Sequence, residues 1–200
     1  MRILVAYTTN SGSTEEVAQV IGEELASGGQ GVQVDLRRLE EVTSVEPYDA
    51  VVVGAPMILG WHRSAARFVH KHQLALSRVP VALFCTAMSL TQTNDTHVGT
   101  IPVYVDPALA RPPANANRLG LKERYATVSN YLRPVLKSAP SVKPVSVAFF
   151  GGKLELFRLN ILQMLFVMVV IRAQPGDARN WPVIRGWAAQ LRTRLTSQEQ

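Results

Sequence analysis

Two hundred residues fit one domain with enough chain to bury a substantial core. A formal charge of +6 and a sequence pI of about 9.8 favour anionic partners, but the cations are scattered and no basic run is interleaved with aromatics, which argues against nucleic acid. A single cysteine excludes a disulfide framework, and Cys85 inside an apolar run reads as a small buried hydrophobe.

The chain opens Met1-Arg-Ile-Leu-Val-Ala-Tyr and passes through a hydroxyl-rich turn into a helical pattern without a gap. That apolar start is too short for a signal peptide, so a cytoplasmic protein is expected. Residues 2–7 predict a buried strand. Val17, Ala18, Ile21 and Leu25 recur at helical spacing over residues 15–25, and Gly28-Gly29 stops the pattern. Residues 32–36 alternate as an edge strand. The run from Tyr48 to Gly54 is apolar enough for a central strand of a parallel sheet. A helix over 64–76, a buried strand over 79–86, a helix over 121–137, a strand over 142–150 and an amphipathic helix over 181–195 follow. Five strands separated by helices predict an α/β fold: a doubly wound five-stranded parallel sheet in the flavodoxin-like order 2-1-3-4-5. Ligands of such a sheet bind beyond the carboxyl ends of the strands, at the switch point between the first and third.

Two stretches fall outside that minimum. Residues 91–118 are polar and carry Pro102, Pro107, Pro112 and Pro113, which predicts a long loop insertion. The other, roughly 153–173, holds an apolar run from Phe157 to Ile171 with three polar residues in fifteen. As a helix that run reaches about 22 Å, short of the ~30 Å hydrocarbon core, so it should not span a bilayer. Its readings are burial against the sheet, a homodimer interface, peripheral docking on a membrane and a cover over an apolar substrate. Lys153, Arg158 and Arg172 at its ends suit an anionic surface. No repeat or linker divides the chain, so residues 1–200 are expected to form one domain.

The turn Thr9-Asn10-Ser11-Gly12-Ser13-Thr14 carries the chemistry. A helix N-terminus collects unpaired backbone N–H groups and partial positive charge, which together bind phosphate. No Lys precedes the last Thr, and only one Gly is present, so the turn is neither a Walker loop nor a dinucleotide fingerprint. Hydroxyls and amides with no cation in the loop point to a mononucleotide cofactor such as FMN. Leaving the third strand, Pro56-Met57-Ile58-Leu59-Gly60-Trp61 supplies backbone and an aromatic wall for a flat ring; alternatively Trp61 packs under the next helix. Thr86, Ala87 and Met88 complete the expected cofactor contacts from the fourth strand. The four histidines show no ligand spacing, so no metal site is expected, although His62 stands where a proton donor to the ring would.

These residues resemble the flavodoxin-like flavoproteins, and within them the oxygen-independent, quinone-linked protoporphyrinogen oxidase type. The phosphate turn, with Ser11 where that family has Thr, is similar to its first motif. So are Val51-Val-Val-Gly-Ala-Pro-Met-Ile-Leu-Gly-Trp-His62 and the block running from Gly151-Gly-Lys-Leu to Gly176-Asp-Ala-Arg-Asn-Trp181. The 91–118 stretch is longer than the family pattern. The resemblance implies bound FMN, oxidation of a porphyrinogen and electron transfer to a quinone at the inner face of the cell membrane. The flavin would carry that chemistry, so no catalytic side chain is assigned. A flavodoxin-type electron carrier and a flavin-free binding module are the alternatives. The positive charge and the apolar run argue against the carrier, and the intact turn argues against the module.

Overall fold

The computed structural model describes residues 1–28, 31–57, 61–92, 96–115, 118–154 and 176–196. The expected apolar helix over 157–171 lies outside them, as do Ile58, Leu59 and Gly60.

Five parallel strands form the frame: β1 (Arg2–Tyr7), β2 (Gln33–Arg38), β3 (Ala50–Pro56), β4 (Val81–Ala87) and, later in the chain, β9 (Ser146–Gly151). Their spatial order is β2-β1-β3-β4-β9, the predicted 2-1-3-4-5 arrangement. The central strands read as continuous apolar runs because both faces are buried. Ile3, Val5 and Tyr7 of β1 join Phe84 and Phe150 on one face, while Leu4 and Ala6 join Leu83 and Phe149 on the other. Among the described residues strand β2 pairs only with β1, the expected edge position, but Leu36 is exposed although the alternation groups it with the half-buried Val34.

Helices cover both faces. On one face lie α1 (Ser13–Ala26) and the final helix α6 (Trp181–Thr196), whose Trp187 meets Phe150 edge-on with centroids 5.5 Å apart. The buried Nε1 of Trp187 donates to Ser146 Oγ at 3.0 Å, so the indole enters the core without an orphaned donor. On the other face lie α2 (Arg63–Lys71) and α5 (Val128–Ser138), with α3 (Gln73–Leu76) after α2 and α4 (Leu121–Tyr125) before α5. Two helices expected to be continuous are therefore broken. His72 leaves helical geometry between α2 and α3. At the second break the Thr127 side chain caps α5, and the freed Ala126 and Glu123 carbonyls accept from the N–H and the hydroxyl of Thr91.

The sheet has seven strands, not five. The stretch expected to be a loop contains β5 (Leu90–Thr91), β6 (His97–Val98), β7 (Ile101–Val105) and β8 (Ala110–Arg111). Strand β7 extends the sheet beyond β9 in parallel register, Val103 against Val147 and Val105 against Phe149, and β6 closes the edge antiparallel to β7. The physical reason is that Ile101, Val103 and Val105 present a β-branched face, while Pro102 sits near the sheet edge, where strands tolerate proline. The remaining strands, β10 (Lys153–Leu154) and β11 (Gly176–Asp177), pair antiparallel over the carboxyl end of β9.

Cys85 is buried in the middle of β4, and burial pushes its thiol above the ordinary range. Native protein should resist a thiol reagent and react with it stoichiometrically only after unfolding. Fast labelling without denaturant would contradict this placement.

Candidate functional site

Hydrogen bonds gather the three expected loops at the carboxyl end of the sheet. The Thr8 N–H donates to Gly54 O at 3.0 Å, joining the first loop to β3. The Met57 N–H donates to Thr86 O at 2.8 Å, joining the β3 exit to β4. Thr14 Oγ1 and Thr86 Oγ1 lie 2.8 Å apart, joining the start of α1 to the same point.

The turn itself is built around Gly12, which stands at φ 90° as the N-cap of α1. An L side chain is strained there, so only glycine takes the position without cost. The Gly12 N–H is held by Thr9 Oγ1 at 2.9 Å, and the first intrahelical bond runs from Glu16 N–H to Gly12 O. The amides of Ser13, Thr14 and Glu15 therefore precede the first intrahelical donor, and no side chain caps the helix. Thr9 accepts from Gly12, and Ser13 Oγ accepts from the Lys153 N–H at 2.8 Å, so both hydroxyl protons stay available for an anion. Asn10 is exposed, and Ser11 and Gly12 are half-buried. Thr14 differs from the expectation: its hydroxyl is buried against Thr86, leaving its amide as the group that faces the turn's function.

Glu15 and Glu16 occupy the first turn of α1 and would repel a phosphate. Each is answered by an arginine from elsewhere. Arg38 at the end of β2 pairs with Glu15 at 3.1 Å, and the Tyr7 hydroxyl donates to the same carboxylate. Arg179, whose side chain is 4% exposed, pairs with Glu16 at 2.5 Å and with Asp177 at 2.6 Å. Its guanidinium also lies 4.6 Å from the Trp181 ring centroid. That guanidinium holds the Asp177 carboxyl below its usual range. The turn contains no cation, yet a nearly buried one reaches α1 from a segment some 160 residues away. Sequence spacing gave no sign of that contact; only the Gly151-to-Trp181 block marked the segment.

That segment closes over the site. Gly152 N–H donates to Ala87 O at 2.8 Å, and Ala178 N–H donates to Gly152 O at 3.0 Å. Ala87 is thus a backbone contact of the closure, and Met88 beside it is half-buried. Met57 and Trp61 pair as an isolated antiparallel bridge across the β3 exit, with Pro56 half-buried before them. Trp61 is 9% exposed and packs into the core cluster with Phe68, the alternative its sequence position left open. Its Nε1 is nevertheless buried with no hydrogen-bond partner among the described residues, an unmet donor that calls for an acceptor. His62 is the N-cap of α2: its Nδ1 takes the Ser64 N–H at 3.4 Å and contacts Ser64 Oγ at 2.5 Å. Burial lowers its pKa, which keeps the ring neutral and suited to accepting those bonds.

The model of the flavodoxin domain family matches residues 4–179. The chain belongs to that family. It is 33% identical over 192 residues to the Escherichia coli K12 protein named protoporphyrinogen IX dehydrogenase [quinone], covering 94% of this chain and 89% of that one; the proteins of that name from strains O6:H1 and O157:H7 match equally. Among solved structures, a short-chain flavodoxin associated with a bacterial microcompartment superposes with a TM-score of 0.51 at 12% identity over 100% of this chain and 99% of that one, which supports the fold. As in the flavodoxin-domain family at large, the expected site is a flavin site, and the uncapped α1 terminus with its two available hydroxyl protons fits a flavin phosphate.

Alanine at Gly12 should cost about 1–2 kcal/mol of stability and weaken flavin uptake, because the turn must hold positive φ to aim the α1 amides. Denaturant unfolding alongside a flavin titration reads both effects. Unchanged values in both would mean the turn does not need this conformation. A separate cavity of about 580 Å³ lies under the inserted strands, lined by Leu90, Val103, Val105 and Val128. None of its lining residues belongs to the turn.

Proposed function

We propose that this flavodoxin-domain protein binds FMN at the α1 turn and uses it to oxidise a porphyrinogen, with a quinone as electron acceptor. The observation that carries the reading is the phosphate turn: uncapped amides, two donor hydroxyls and two acids each neutralised by an arginine. The 33% identity along 94% of the chain to a protein named for protoporphyrinogen and quinone supports the substrate pair.

In this reading the amides of Ser13, Thr14 and Glu15 and the hydroxyls of Thr9 and Ser13 hold the phosphate, with Asn10, Ser11 and Gly12 shaping the turn. Pro56, Met57 and Trp61 from the β3 exit and Thr86, Ala87 and Met88 from the neighbouring β4 exit would hold the ring from adjoining strand ends, with Ile58, Leu59 and Gly60 between Met57 and Trp61 in sequence. The Trp61 Nε1, buried without a partner among the described residues, would be free to donate to the bound cofactor. Bound FMN supplies two-electron acceptor chemistry that the side chains lack. The protein's own part is to exclude water and fix orientation, which the apolar walls of Met57, Met88 and Trp61 serve.

Among the described residues no helix is long and apolar enough to cross a membrane. We place the run from Phe157 to Ile171 at an anionic bilayer surface, where a membrane quinone is reached. Deleting residues 155–171, which leaves β10 intact, should abolish partitioning onto anionic vesicles while FMN stays bound, and unchanged partitioning would remove the docking role. The activity is tested by anaerobic mixing of FMN-loaded protein with protoporphyrinogen and a menaquinone analogue. Flavin reduction by the porphyrinogen and reoxidation by the quinone are expected. A flavin that no porphyrinogen reduces would leave an electron carrier instead.

A further inference from the structure

The solvent side of α2 carries cations and no acid. Arg63, Arg67 and Lys71 stand four residues apart and form one exposed stripe. None of the three makes an ion pair among the described residues. Like charges at this spacing repel, and a cation in the first turn opposes the helix dipole. Lys71 in the last turn suits the dipole, but Arg63 in the first turn and the repulsion along the stripe do not, and an anionic ligand would relieve that repulsion.

A groove of about 540 Å³ runs beside the stripe, between α2 and the segment after β2. That volume is the size of a small-molecule site. Its apolar part is Leu39, Val42 and Phe68, its cations are Arg67 and Lys71, and Glu40 is the one acid on the lining. His72 also lines it, and the Nε2 of that ring is buried with no hydrogen-bond partner. The groove begins at Ser64, which is bonded to His62 directly after the Met57–Trp61 bridge, and so leads away from the proposed flavin site along α2.

We propose that this groove holds the carboxylate arms of the tetrapyrrole substrate, with Arg67 and Lys71 pairing the carboxylates and Leu39, Val42 and Phe68 covering the adjoining hydrocarbon. The identity of the molecule rests on the porphyrinogen reading above; the charge and shape of the groove do not. A shallow groove with a narrow apolar floor and cations along its rim fits the charged edge of an amphipathic dianion.

The test titrates FMN-loaded protein with fluorescent protoporphyrin IX and with its dimethyl ester. The wild type should bind the dicarboxylate at least about tenfold more tightly than the ester, a preference that Arg67→Gln with Lys71→Gln abolishes. Melting temperature and FMN affinity should be unchanged or higher in that double variant, since only repelling exposed charges are removed. Equal affinity for acid and ester, no saturable porphyrin binding, or a double variant that binds the dicarboxylate as the wild type does would each overturn the proposal. So would a double variant that loses only its binding to phosphatidylglycerol vesicles, which would make the stripe a membrane contact. Porphyrin binding through its carboxylates without turnover of the porphyrinogen sinks the proposed activity and leaves the groove standing. Turnover without carboxylate preference does the reverse.

Discussion

Gly151→Ala is expected to lower stability by about 3 kcal/mol or more, and the melting temperature by roughly 6–12 °C. A Cβ built at this position would lie 1.8 Å from the Ala178 carbonyl oxygen and 2.5 Å from its carbon, both backbone atoms that no rotamer change can move. Gly151 ends β9 in register with Ala87, so β9 cannot retreat without tearing the ladder to β4. Relief must come from the 176–179 segment, which would lift away from Gly152 and draw Arg179 off Glu16. Flavin affinity should therefore fall by more than global unfolding explains, because an unanswered carboxylate is left beside the phosphate turn. Gly186→Ala provides the internal comparison: it lies inside α6 with nothing within 4 Å of its Cβ, and should stabilise by about 0.5–1 kcal/mol. Thermal and denaturant unfolding of the two variants check the pair. A Gly151→Ala protein that melts with the wild type would show that the closure over the site is not built as described.

The second large effect concerns Thr14 and Thr86. Both are nearly buried, at 1% and 4% exposed, and their hydroxyls bond at 2.8 Å across 72 residues of sequence. Valine at either position should cost about 1–3 kcal/mol, because the surviving hydroxyl stays buried without its partner. Valine at both removes the orphan, so the double variant should be far less destabilised than the sum of the singles. A double-mutant cycle by urea unfolding measures this coupling directly. Additive losses would mean that each threonine acts alone and that the start of α1 is not pinned to β4 through this bond.

Much of the frame was legible because it obeys local rules. Strands β1, β3, β4 and β9 are buried on both faces, so they read as continuous apolar runs that no surface element imitates. Strand β2 alternates because one side meets α1 and its edge meets water. The turn at Gly12 was legible as a strand-to-helix turn because hydroxyls and a glycine stand directly between an apolar run and a helical pattern. What stayed hidden depends on partners distant in the chain. Strands β5, β6 and β8 are two residues each, too short for any pattern, and exist only because β8 meets β5 and β6 meets β7. Four prolines around β7 read as loop punctuation, although Pro102 lies at a tolerant edge. The break before Thr127 is set by tertiary hydrogen bonds from Thr91, and helical periodicity runs straight through it as it does through the change of geometry at His72. The hydroxyls of the turn show the same limit. Composition named them as a group, but only the fold divides them into Thr9 and Ser13, which can still donate, and Thr14, which is spent on Thr86. Arg179 is the clearest case, since a cation reaching α1 from beyond β11 leaves no mark near the turn it serves.

The central claim is that the α1 turn is the phosphate clamp of an FMN site. The most direct measurement is a titration of FMN into the flavin-free protein, followed by flavin absorbance and fluorescence, on the wild type and on Gly12→Ala. Saturable one-to-one uptake by the wild type, clearly weakened in Gly12→Ala, is the expected result. A wild-type protein that is colourless as purified and takes up no added FMN would contradict the claim.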